Sequence, residues 1–434
     1  MNGLALAYPF LGKEIYMATE IRENDLILAD GQYYSMDCFE TQLNNNVLIV
    51  GAAGAGKTRS IVSPNILQAS GSYVITDPKG QLHKKYGAYL EGKGYKVKVL
   101  DLIHPKESIR YNPFHYIRNT QDVVKMAQMI MDCSMQQEHV RVDPFWDESG
   151  HMFLSALLGY LRFHRPKHEQ SMKNIFKLIM ACNIHEYSPE CKNPLDRIFD
   201  EIEKRDKDDF ALSQYRKFRL GAGKTLCSIL ISLSARLGRY DYPEFHEMTK
   251  EDELDLGNIG TEKTAVFVII SDKDRSMDGF ANIFYSQAMD ELCRVADEEC
   301  ADGRLPIPVR FILDDFATNC KITDFPRMIS SIRSRGISTM LILQSEAQLT
   351  HCYGPDGRTV VANCDSYVYL GGNDLETAEA ISKRCDLPLG KILYMPVGTN
   401  WIFRRGQKPV NGRNFVLEPF EQMLLKRGLN DKIR

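Results

Sequence analysis

The chain has 434 residues, of which 44% are hydrophobic and 26% charged, and its formal net charge is −3. This composition is typical of a soluble, folded protein of two or three domains and excludes an intrinsically disordered chain. Because the net charge is slightly negative, binding to a polyanion would require a local basic surface. The 11 cysteines include no CxxC pair, which favours reduced thiols over a disulfide framework or a zinc site.

The first 114 residues alternate between predicted strands and helices. Short strands and turns occupy about the first 45 residues and include a turn at Asp30 and Gly31. One helix runs from Thr58 to about Ala69, after a glycine-rich loop, and another begins at Gln81. The predicted strands between these segments cover residues 47–50, 72–77 and 95–102. This alternation indicates a parallel sheet covered by helices on both faces.

Strand patterns nearly vanish between residues 118 and 250, where apolar residues recur at helical spacing. We interpret residues 115–255 as an inserted all-α domain. After it, the predicted strands cover 264–270, 309–315 and 338–344, and the predicted helices cover 282–299, 325–334 and 374–384, with short strands to the end. The predicted fold class is therefore α/β: a domain built from residues 1–114 and 256–434 around a mostly parallel sheet, interrupted by the all-α insertion.

The segment GAAGAGKT, from Gly51 to Thr58, completes the phosphate-loop pattern GxxxxGK[ST] between a predicted strand and a predicted helix. Backbone N–H groups of such a turn, and of the helix that follows, attract phosphate. Lys57 is expected to reach the β- and γ-phosphates, and the Thr58 hydroxyl is expected to bind Mg²⁺. The expected nucleotide contacts come from Gly51, Ala52, Ala53, Gly54, Ala55, Gly56, Lys57, Thr58 and Arg59. The alternative interpretation is a strand-to-helix turn that binds no ligand.

An apolar strand at 311–313 ends in Asp314 and Asp315. In a parallel sheet, such a strand delivers its carboxylates to the edge that also carries the phosphate loop. We expect Asp314 to hold Mg²⁺ together with Thr58, and Asp315 to orient the water that attacks ATP. Alternatively, the two aspartates only cap the helix that follows.

Three further polar residues are candidates for the same site. Gln344 ends a predicted strand and is expected to contact the γ-phosphate or the water, although it could equally be an ordinary strand-end hydrogen-bonding residue. Arg333 and Arg335 lie just before that strand. In a ring-forming ATPase, either arginine could reach into the next subunit and stabilise charge on the transferred phosphoryl group. Alternatively, both form the solvated basic end of a helix.

The pentapeptide GAGKT occurs a second time, at residues 221–225. A phosphate loop ending there would need glycine at position 218, which is Phe218, and no apolar strand precedes it. We predict a corner between two helices, with Thr225 as the N-cap of the second helix. A basic corner that faces DNA or a protein partner is the open alternative.

The order of motifs along the chain resembles that of the coupling proteins of type IV secretion and bacterial conjugation, the TraG/TraD family. The resemblance covers about residues 40–385, and its most specific parts are Asp77-Pro78-Lys79-Gly80, RSRG followed by LQSEAQL, and NCDS. The segments that match in order are the phosphate loop, YVITDPKGQL, YNPFHYI, DPFWDESGHMFLSAL, AVFVIISDKDRS, FILDDFATN, ISSIRSRGISTMLILQSEAQL and VVANCDSYVYLGGND.

Membership would imply a RecA-like P-loop ATPase that uses ATP and Mg²⁺, with the all-α domain recognising the substrate. It implies a homo-hexameric ring that pumps single- or double-stranded DNA with its attached relaxase, or effector proteins, into the channel at the inner membrane. Whether the isolated chain is a monomer is left open. The resemblance places the site at Lys57, Asp314, Asp315 and Gln344, and the trans-acting arginine at Arg333, with Arg335 as second choice. The expected location is the cytoplasmic face of the cell membrane.

The sequence departs from the family pattern in two places. Asp315 stands where the family usually has glutamate, so water positioning is expected to rely on a bridging water and turnover to be slow. Many members begin with membrane helices, whereas this chain has no apolar run of about 18 residues and no signal-peptide pattern. We therefore expect a soluble protein, or one whose membrane anchor lies upstream.

Two other functions are weighed against the pump. One is a substrate-recruiting adaptor that binds nucleotide with little hydrolysis, which the near-neutral charge and Asp315 favour. The other is an FtsK/HerA-like DNA translocase, which would share the core but not the helical insertion.

Overall fold

The computed structural model describes residues 21–133, 144–184, 191–316 and 321–431. The predicted strands before residue 21 and the end of the FILDDFATN segment lie outside these residues. The strands are β1 Asp25–Ala29, β2 Gln32–Ser35, β3 Val47–Val50, β4 Ser72–Pro78, β5 Lys96–Asp101, β6 Thr264–Ile270, β7 Val309–Leu313, β8 Ile337–Leu343, β9 Ser366–Tyr369, β10 Thr399–Arg404 and β11 Val410–Arg413.

Helices lie between and after these strands. They are α1 Cys38–Thr41, α2 Ser63–Leu67, α3 Gln81–Gly92, α4 Thr120–Cys133, α5 Pro144–His164, α6 Met172–Ala181, α7 Pro194–Arg205, α8 Phe210–Arg219, α9 Gly223–Leu237, α10 Pro243–Met248, α11 Asp278–Arg294, α12 Phe325–Met328, α13 Ala347–Tyr353, α14 Gly357–Ala362, α15 Leu375–Cys385, α16 Leu389–Leu393 and α17 Leu417–Asp431. A π-helical turn at Thr58–Val62 leads into α2, and another at Val295–Glu299 follows α11.

The main sheet has nine strands in the order β11-β10-β9-β3-β8-β7-β4-β6-β5. Strand β3 pairs in parallel with β8 and β9, and β7 pairs in parallel with β4 and β8. Strand β10 runs antiparallel to its neighbours β9 and β11. The prediction of a mostly parallel sheet with helices is confirmed.

The buried strands of the sheet are continuous apolar runs, as expected where helices cover both faces. Strands β3 and β6 are buried along their whole length. Strands β1 and β2 form a separate antiparallel hairpin whose turn lies at Asp30 and Gly31, as predicted. Gly31 has a φ of 67°, a conformation that glycine adopts without strain. Apolar residues of β1 join the core beneath the sheet.

Two predicted segments are wrong in part. The helix predicted at 325–334 ends at Met328. Beyond it, the backbone forms tight turns with hydrogen bonds between residues three apart, such as the bond from the Arg335 N–H to the Ile332 carbonyl at 3.1 Å. The short strands predicted to the end are present as β10 and β11, but helix α17 follows them at Leu417–Asp431. The reason is that Phe420 and Met423, three residues apart on one helical face, are buried in the core.

The chain forms two compact units. The first comprises Met1–Lys98, Gly257–Val268 and Leu292–Arg434, and the second comprises Val99–Leu256 and Ile269–Glu291. The second unit is therefore larger than the insertion predicted at 115–255.

Contacts within the second unit explain why Ile269–Glu291 belongs to it. The Tyr111 hydroxyl donates to the Gln287 side-chain oxygen at 2.5 Å, and Arg118 forms an ion pair with buried Glu291 at 2.6 Å. No single helix among the described residues is both long and apolar enough to cross a membrane; α8 together with 223–240, a pair bent by 118°, satisfies the length and composition criteria jointly.

Candidate nucleotide site

The first GAGKT forms a glycine-rich loop at the carboxyl end of β3. The loop is fixed by the neighbouring strands: the Gly51 N–H donates to the Leu343 carbonyl at 3.2 Å, and the Ala52 N–H donates to the Gly371 carbonyl at 2.9 Å. Gly54 and Gly56 have φ values of 76° and 90°, which explains the need for glycine at both positions. The loop thus has the strand–loop–helix context that phosphate binding requires.

Lys57 lies across its own loop. Its ammonium group donates to the carbonyls of Gly51 at 2.6 Å and Ala52 at 3.1 Å. Burial lowers the pKa of Lys57, while the nearby charges of Asp315 and Asp314 oppose that effect. The cation is therefore held between the loop carbonyls and the acidic end of β7, where phosphate oxygens could replace the carbonyls as its partners.

Asp314 meets the phosphate loop across the sheet. The Thr58 hydroxyl donates to Asp314 Oδ2 at 3.2 Å, although 256 residues separate them in sequence. The Asp314 side chain is only 9% exposed, and its Oδ1 accepts the Asp315 N–H at 3.1 Å. Burial, followed by the charge of Asp315, raises the pKa of Asp314 to about 6. A cation bound beside this carboxylate would favour its ionised form.

Asp315 and Gln344 also lie together. The Gln344 side-chain amide donates to Asp315 Oδ1 at 3.4 Å, so the ends of the adjacent strands β7 and β8 converge as predicted. Asp315 has a φ of 50°, a left-handed conformation that aspartate adopts more readily than most residues. The backbone conformation gives one physical reason for the shorter side chain at this position.

The residues present fit Mg²⁺ in the presence of a nucleotide. Within the described part of the chain, no group of three or more His, Cys, Asp or Glu side chains could hold a metal ion alone. Mg²⁺ bound with a nucleotide usually needs only one or two protein ligands, the rest being phosphate and water oxygens. Thr58 and Asp314, in contact with each other, provide those two ligands.

Two predicted contributors have other partners. Arg59 extends from the first helical turn to form an ion pair with Glu418 at the start of α17. Arg335 forms a bidentate ion pair with Asp297, at 2.8 and 2.7 Å. Neither ion pair brings a guanidinium group to the phosphate loop.

Arg333 lies at the opposite edge of the sheet from the phosphate loop. It precedes β8, whereas Gln344 follows β8, and a strand of seven residues spans about 23 Å. Its guanidinium group donates to the Cys38 carbonyl at 2.8 Å. Arg333 can therefore act on a nucleotide only if that nucleotide is bound by another subunit.

The carboxyl-terminal hairpin contributes residues that the sequence did not reveal. The Asn414 amide donates to the Ala55 carbonyl in the phosphate loop at 3.2 Å, and Asn400 donates in turn to Asn414 Oδ1 at 3.0 Å. A Cβ atom on Gly51 would lie 3.0 Å from Leu370 Cβ, so β9 also sets the space around the loop. These residues follow no local motif, because they depend on the pairing of β9, β10 and β11.

The diagnostic segment Asp77-Pro78-Lys79-Gly80 is a strand-to-helix junction. The buried Asp77 carboxylate accepts the N–H groups of Leu82 at 3.0 Å and His83 at 2.7 Å. Lys79 and Gly80 have φ values of 72° and 70°. Asp77 therefore fixes the entry into α3 beside β7, rather than presenting a free carboxylate.

The second GAGKT is a corner between α8 and α9, as predicted. Phe218, where a phosphate loop needs glycine, is buried and stacks on Phe153 at 4.4 Å between ring centroids. The prediction of Thr225 as N-cap is wrong: α9 begins at Gly223, its N-cap is Ala222, and no side chain caps it.

The arginines beside this corner are paired within the second unit. Arg219 forms an ion pair with Asp196 at 3.0 Å, and Arg216 forms one with Glu203. These pairs tie the corner to α7 and reduce the charge that it presents.

The family model described as type IV secretory system conjugative DNA transfer matches residues 11–387. The type IV secretion system-coupling protein VirD4 of Bartonella henselae is 22% identical over 362 residues, covering 79% of this chain and 53% of that protein. VirD4 of Bartonella quintana is 21% identical over 374 residues, covering 82% and 54%. The chain thus spans about half the length of these relatives.

Solved structures share the fold. The plasmid coupling protein TrwB in complex with ADP and Mg²⁺ is similar with a TM-score of 0.66 and 18% identity, covering 93% of this chain and 92% of that one. The bacterial conjugative coupling protein TrwBdeltaN70 in complex with sulphate gives a TM-score of 0.67 at 16% identity, with the same coverage of both chains.

Proposed function

The chain belongs to the family of type IV secretory system proteins for conjugative DNA transfer, and we propose that it is an ATP-driven coupling protein of such a system. The observation that carries the proposal is the contact between Thr58 and Asp314, at 3.2 Å. It joins a phosphate loop to an acidic strand end, which is the minimum that a Mg²⁺-dependent ATPase requires.

Each residue of the site has a proposed role. Lys57 exchanges its loop carbonyls for the β- and γ-phosphates, and Thr58 with Asp314 would hold Mg²⁺. When bound, Mg²⁺ would neutralise phosphate charge during transfer. Asp315 accepts a hydrogen bond from the attacking water, and Gln344, 3.4 Å from Asp315 Oδ1, fixes that carboxylate and senses the γ-phosphate. The loop residues from Gly51 to Thr58 supply backbone N–H groups, and we expect Arg59 to reach the edge of the nucleotide once its ion pair with Glu418 opens.

A ring of subunits would complete the site. Arg333 lies too far from its own phosphate loop to act there, and Arg335 is committed to Asp297. We propose that Arg333 stabilises the phosphoryl group bound by the adjacent copy in a homo-hexamer. TrwB has been solved with ADP and Mg²⁺ and with an ATP analogue, which supports the same ligands here.

The proposed cargo is DNA with its relaxase, or effector proteins, handed to the secretion channel at the cytoplasmic face of the membrane. VirD4, which this chain resembles, carries the name of a type IV secretion system-coupling protein. The helical insertion, residues 115–255, is the proposed site of substrate recognition, and this insertion disfavours an FtsK/HerA-like translocase.

Turnover measurements separate the motor from the adaptor. We expect ATP hydrolysis that rises with DNA and, because sites are completed between subunits, rises more than linearly with protein concentration. Particle size by light scattering, with and without ATP and DNA, should increase under the same conditions. ATP binding without turnover under all of these conditions would refute the motor and support the adaptor.

A further inference from the structure

A cavity lies at the edge of the sheet opposite the phosphate loop. Its volume is about 550 Å³, and it is lined by the first residues of three neighbouring strands, Ser72 of β4, Val309 of β7 and Ile337 of β8. The carboxyl ends of these strands form the nucleotide edge, so the cavity is separate from the phosphate loop of the same chain. Its volume falls in the range of small-molecule sites.

Arg310 is a buried cation in the wall of this cavity. The residue is only 6% exposed, and β7 places it opposite Tyr73 of β4 and Ser338 of β8. Its guanidinium group donates to the Ser338 hydroxyl at 3.3 Å and contacts the Met36 sulfur at 2.6 Å, which are both neutral groups. Burial lowers the pKa of Arg310 to about 10, as expected when no anion compensates the lost hydration.

Two more arginines meet at the same cavity. Arg304 lies over the Phe39 ring at 5.0 Å and donates to the Cys38 sulfur at 3.5 Å, while Arg333 donates to the Cys38 carbonyl. Both guanidinium groups therefore converge on one residue. Lys263 also lines the cavity.

Among the described residues, carboxylates do not neutralise this group of cations. The one acidic side chain in the lining, Asp37, uses Oδ1 to cap α1, accepting the N–H groups of Phe39 at 2.8 Å and Glu40 at 3.3 Å. In the part of the chain that the structure describes, none of the three arginines forms an ion pair with a carboxylate. A buried guanidinium without an anion is unfavourable, so the arrangement calls for an external one.

We propose that this cavity, which we call the arginine cavity, binds a phosphate group, with Arg310 at its inner wall and Arg304 and Arg333 beside Cys38. Planar guanidinium groups match the oxygens of phosphate in a bidentate manner. The phosphate has two sources: a free phosphate compound, or the terminal phosphate of a nucleotide held by an adjacent copy of this chain. The second source rests on the proposed function, and the first does not.

Inorganic phosphate is the probe for the first source. Binding is measured by calorimetry in phosphate-free buffer on the full chain carrying Lys57→Ala, which weakens phosphate binding to the phosphate loop. We expect Arg310→Met to abolish binding and Arg304→Gln to weaken it by about tenfold or more, the effect of losing one charged hydrogen bond. The exposed Arg327 lies outside the cavity, and Arg327→Gln, with the same loss of charge, should bind normally.

Stability provides a second readout in the same variants. Because Arg310→Met removes an uncompensated buried charge, its melting temperature without phosphate should equal or exceed that of the parent, and phosphate should no longer raise it. If Arg310→Met fails to fold, Arg304→Gln decides the matter. Unchanged phosphate affinity in Arg304→Gln, together with unchanged ATP-dependent association, would then overturn the proposal.

The second source is tested with Lys57 intact. If free phosphate does not bind, ATP-dependent self-association followed by light scattering should be lost in Arg310→Met and in Arg304→Gln and kept in Arg327→Gln. That result supports the cavity as the receptor for a neighbour's phosphate. The proposal is overturned if neither phosphate binding nor ATP-dependent association depends on Arg310 and Arg304. Absence of ATP turnover in the wild type would refute the proposed function but not the arginine cavity, since phosphate binding to the cavity requires no hydrolysis.

Discussion

Replacing Asp314 with asparagine should make the nucleotide-free protein more stable while removing its response to Mg²⁺ and ATP. Burial and the charge of Asp315 raise the pKa of Asp314 from 3.8 to about 6. The ionised carboxylate is thus unfavourable in the folded state until a cation arrives. Asparagine keeps an acceptor for the Asp315 N–H and an amide beside the Thr58 hydroxyl, so the shape of the site is preserved.

The size of the effect follows from the difference between the two pKa values. A group whose pKa is raised by folding contributes stability below its unfolded pKa and loses it as the pH rises through the folded pKa. A shift of 6 − 3.8, about 2.2 units, corresponds to about 3 kcal/mol at pH 7.5. At pH 5, most folded molecules carry the proton on Asp314, and the destabilisation calculated from the same two pKa values is about 1.5 kcal/mol. These are the upper limits of the stabilisation expected in Asp314→Asn.

Urea denaturation at pH 7.5 and pH 5 measures this difference directly. We expect Asp314→Asn to be more stable than wild type at pH 7.5, by an amount that falls by about half at pH 5. Adding Mg²⁺ and ATP should stabilise the wild type only. The exposed Asp302 provides a matched control, and Asp302→Asn should change stability by less than about 0.5 kcal/mol at either pH. A loss of stability in Asp314→Asn that is equal at both pH values would refute this reasoning.

Four further variants test individual roles. Asp315→Asn should bind ATP as tightly as wild type in a fluorescence titration yet show no turnover; normal turnover would remove the water-orienting role. Arg333→Ala should keep its ATP affinity but lose DNA-stimulated hydrolysis and, mixed with Lys57→Ala subunits, reveal whether the arginine acts across subunits. Arg335→Ala should hydrolyse ATP normally and lose at most about 1 kcal/mol of stability. If hydrolysis is lost in Arg335→Ala and persists in Arg333→Ala, the trans-acting arginine is Arg335 and not Arg333. Asn414→Ala frees the Ala55 carbonyl of the loop and should weaken ATP binding about fivefold, as expected for one hydrogen bond of about 1 kcal/mol; unchanged affinity in calorimetry would exclude a positioning role.

The sequence predicted the parts of the site that depend on local pattern and strand direction. The phosphate loop follows from its glycines and lysine, and the meeting of Thr58 with Asp314 follows from the rule that parallel strands share a carboxyl edge. The same rule placed Gln344 beside Asp315. Such predictions succeed because the polar residue that follows a parallel strand must lie at the carboxyl edge of the sheet.

Other features depend on contacts that no local pattern contains. Asn414 reaches the phosphate loop only because β10 and β11 extend the sheet beyond β9. Thr225 looked like an N-cap, but the helix begins two residues earlier, at Gly223, so its hydroxyl lies inside the first turn. The sequence did not show that Arg310 is buried without a carboxylate partner among the described residues, because VRFIL is the pattern of an ordinary buried strand.

We propose that one of the two identical pentapeptides is the site of a DNA-stimulated ATPase. The most direct test compares Lys57→Ala with Lys224→Ala, which remove the same residue from the same pentapeptide. Steady-state ATP turnover is measured with saturating DNA, after circular dichroism has shown that both variants are folded. We expect Lys57→Ala to abolish turnover and Lys224→Ala, at the start of a helix in the second unit, to retain it. Turnover that survives in Lys57→Ala, or that is lost in a folded Lys224→Ala, would contradict this assignment.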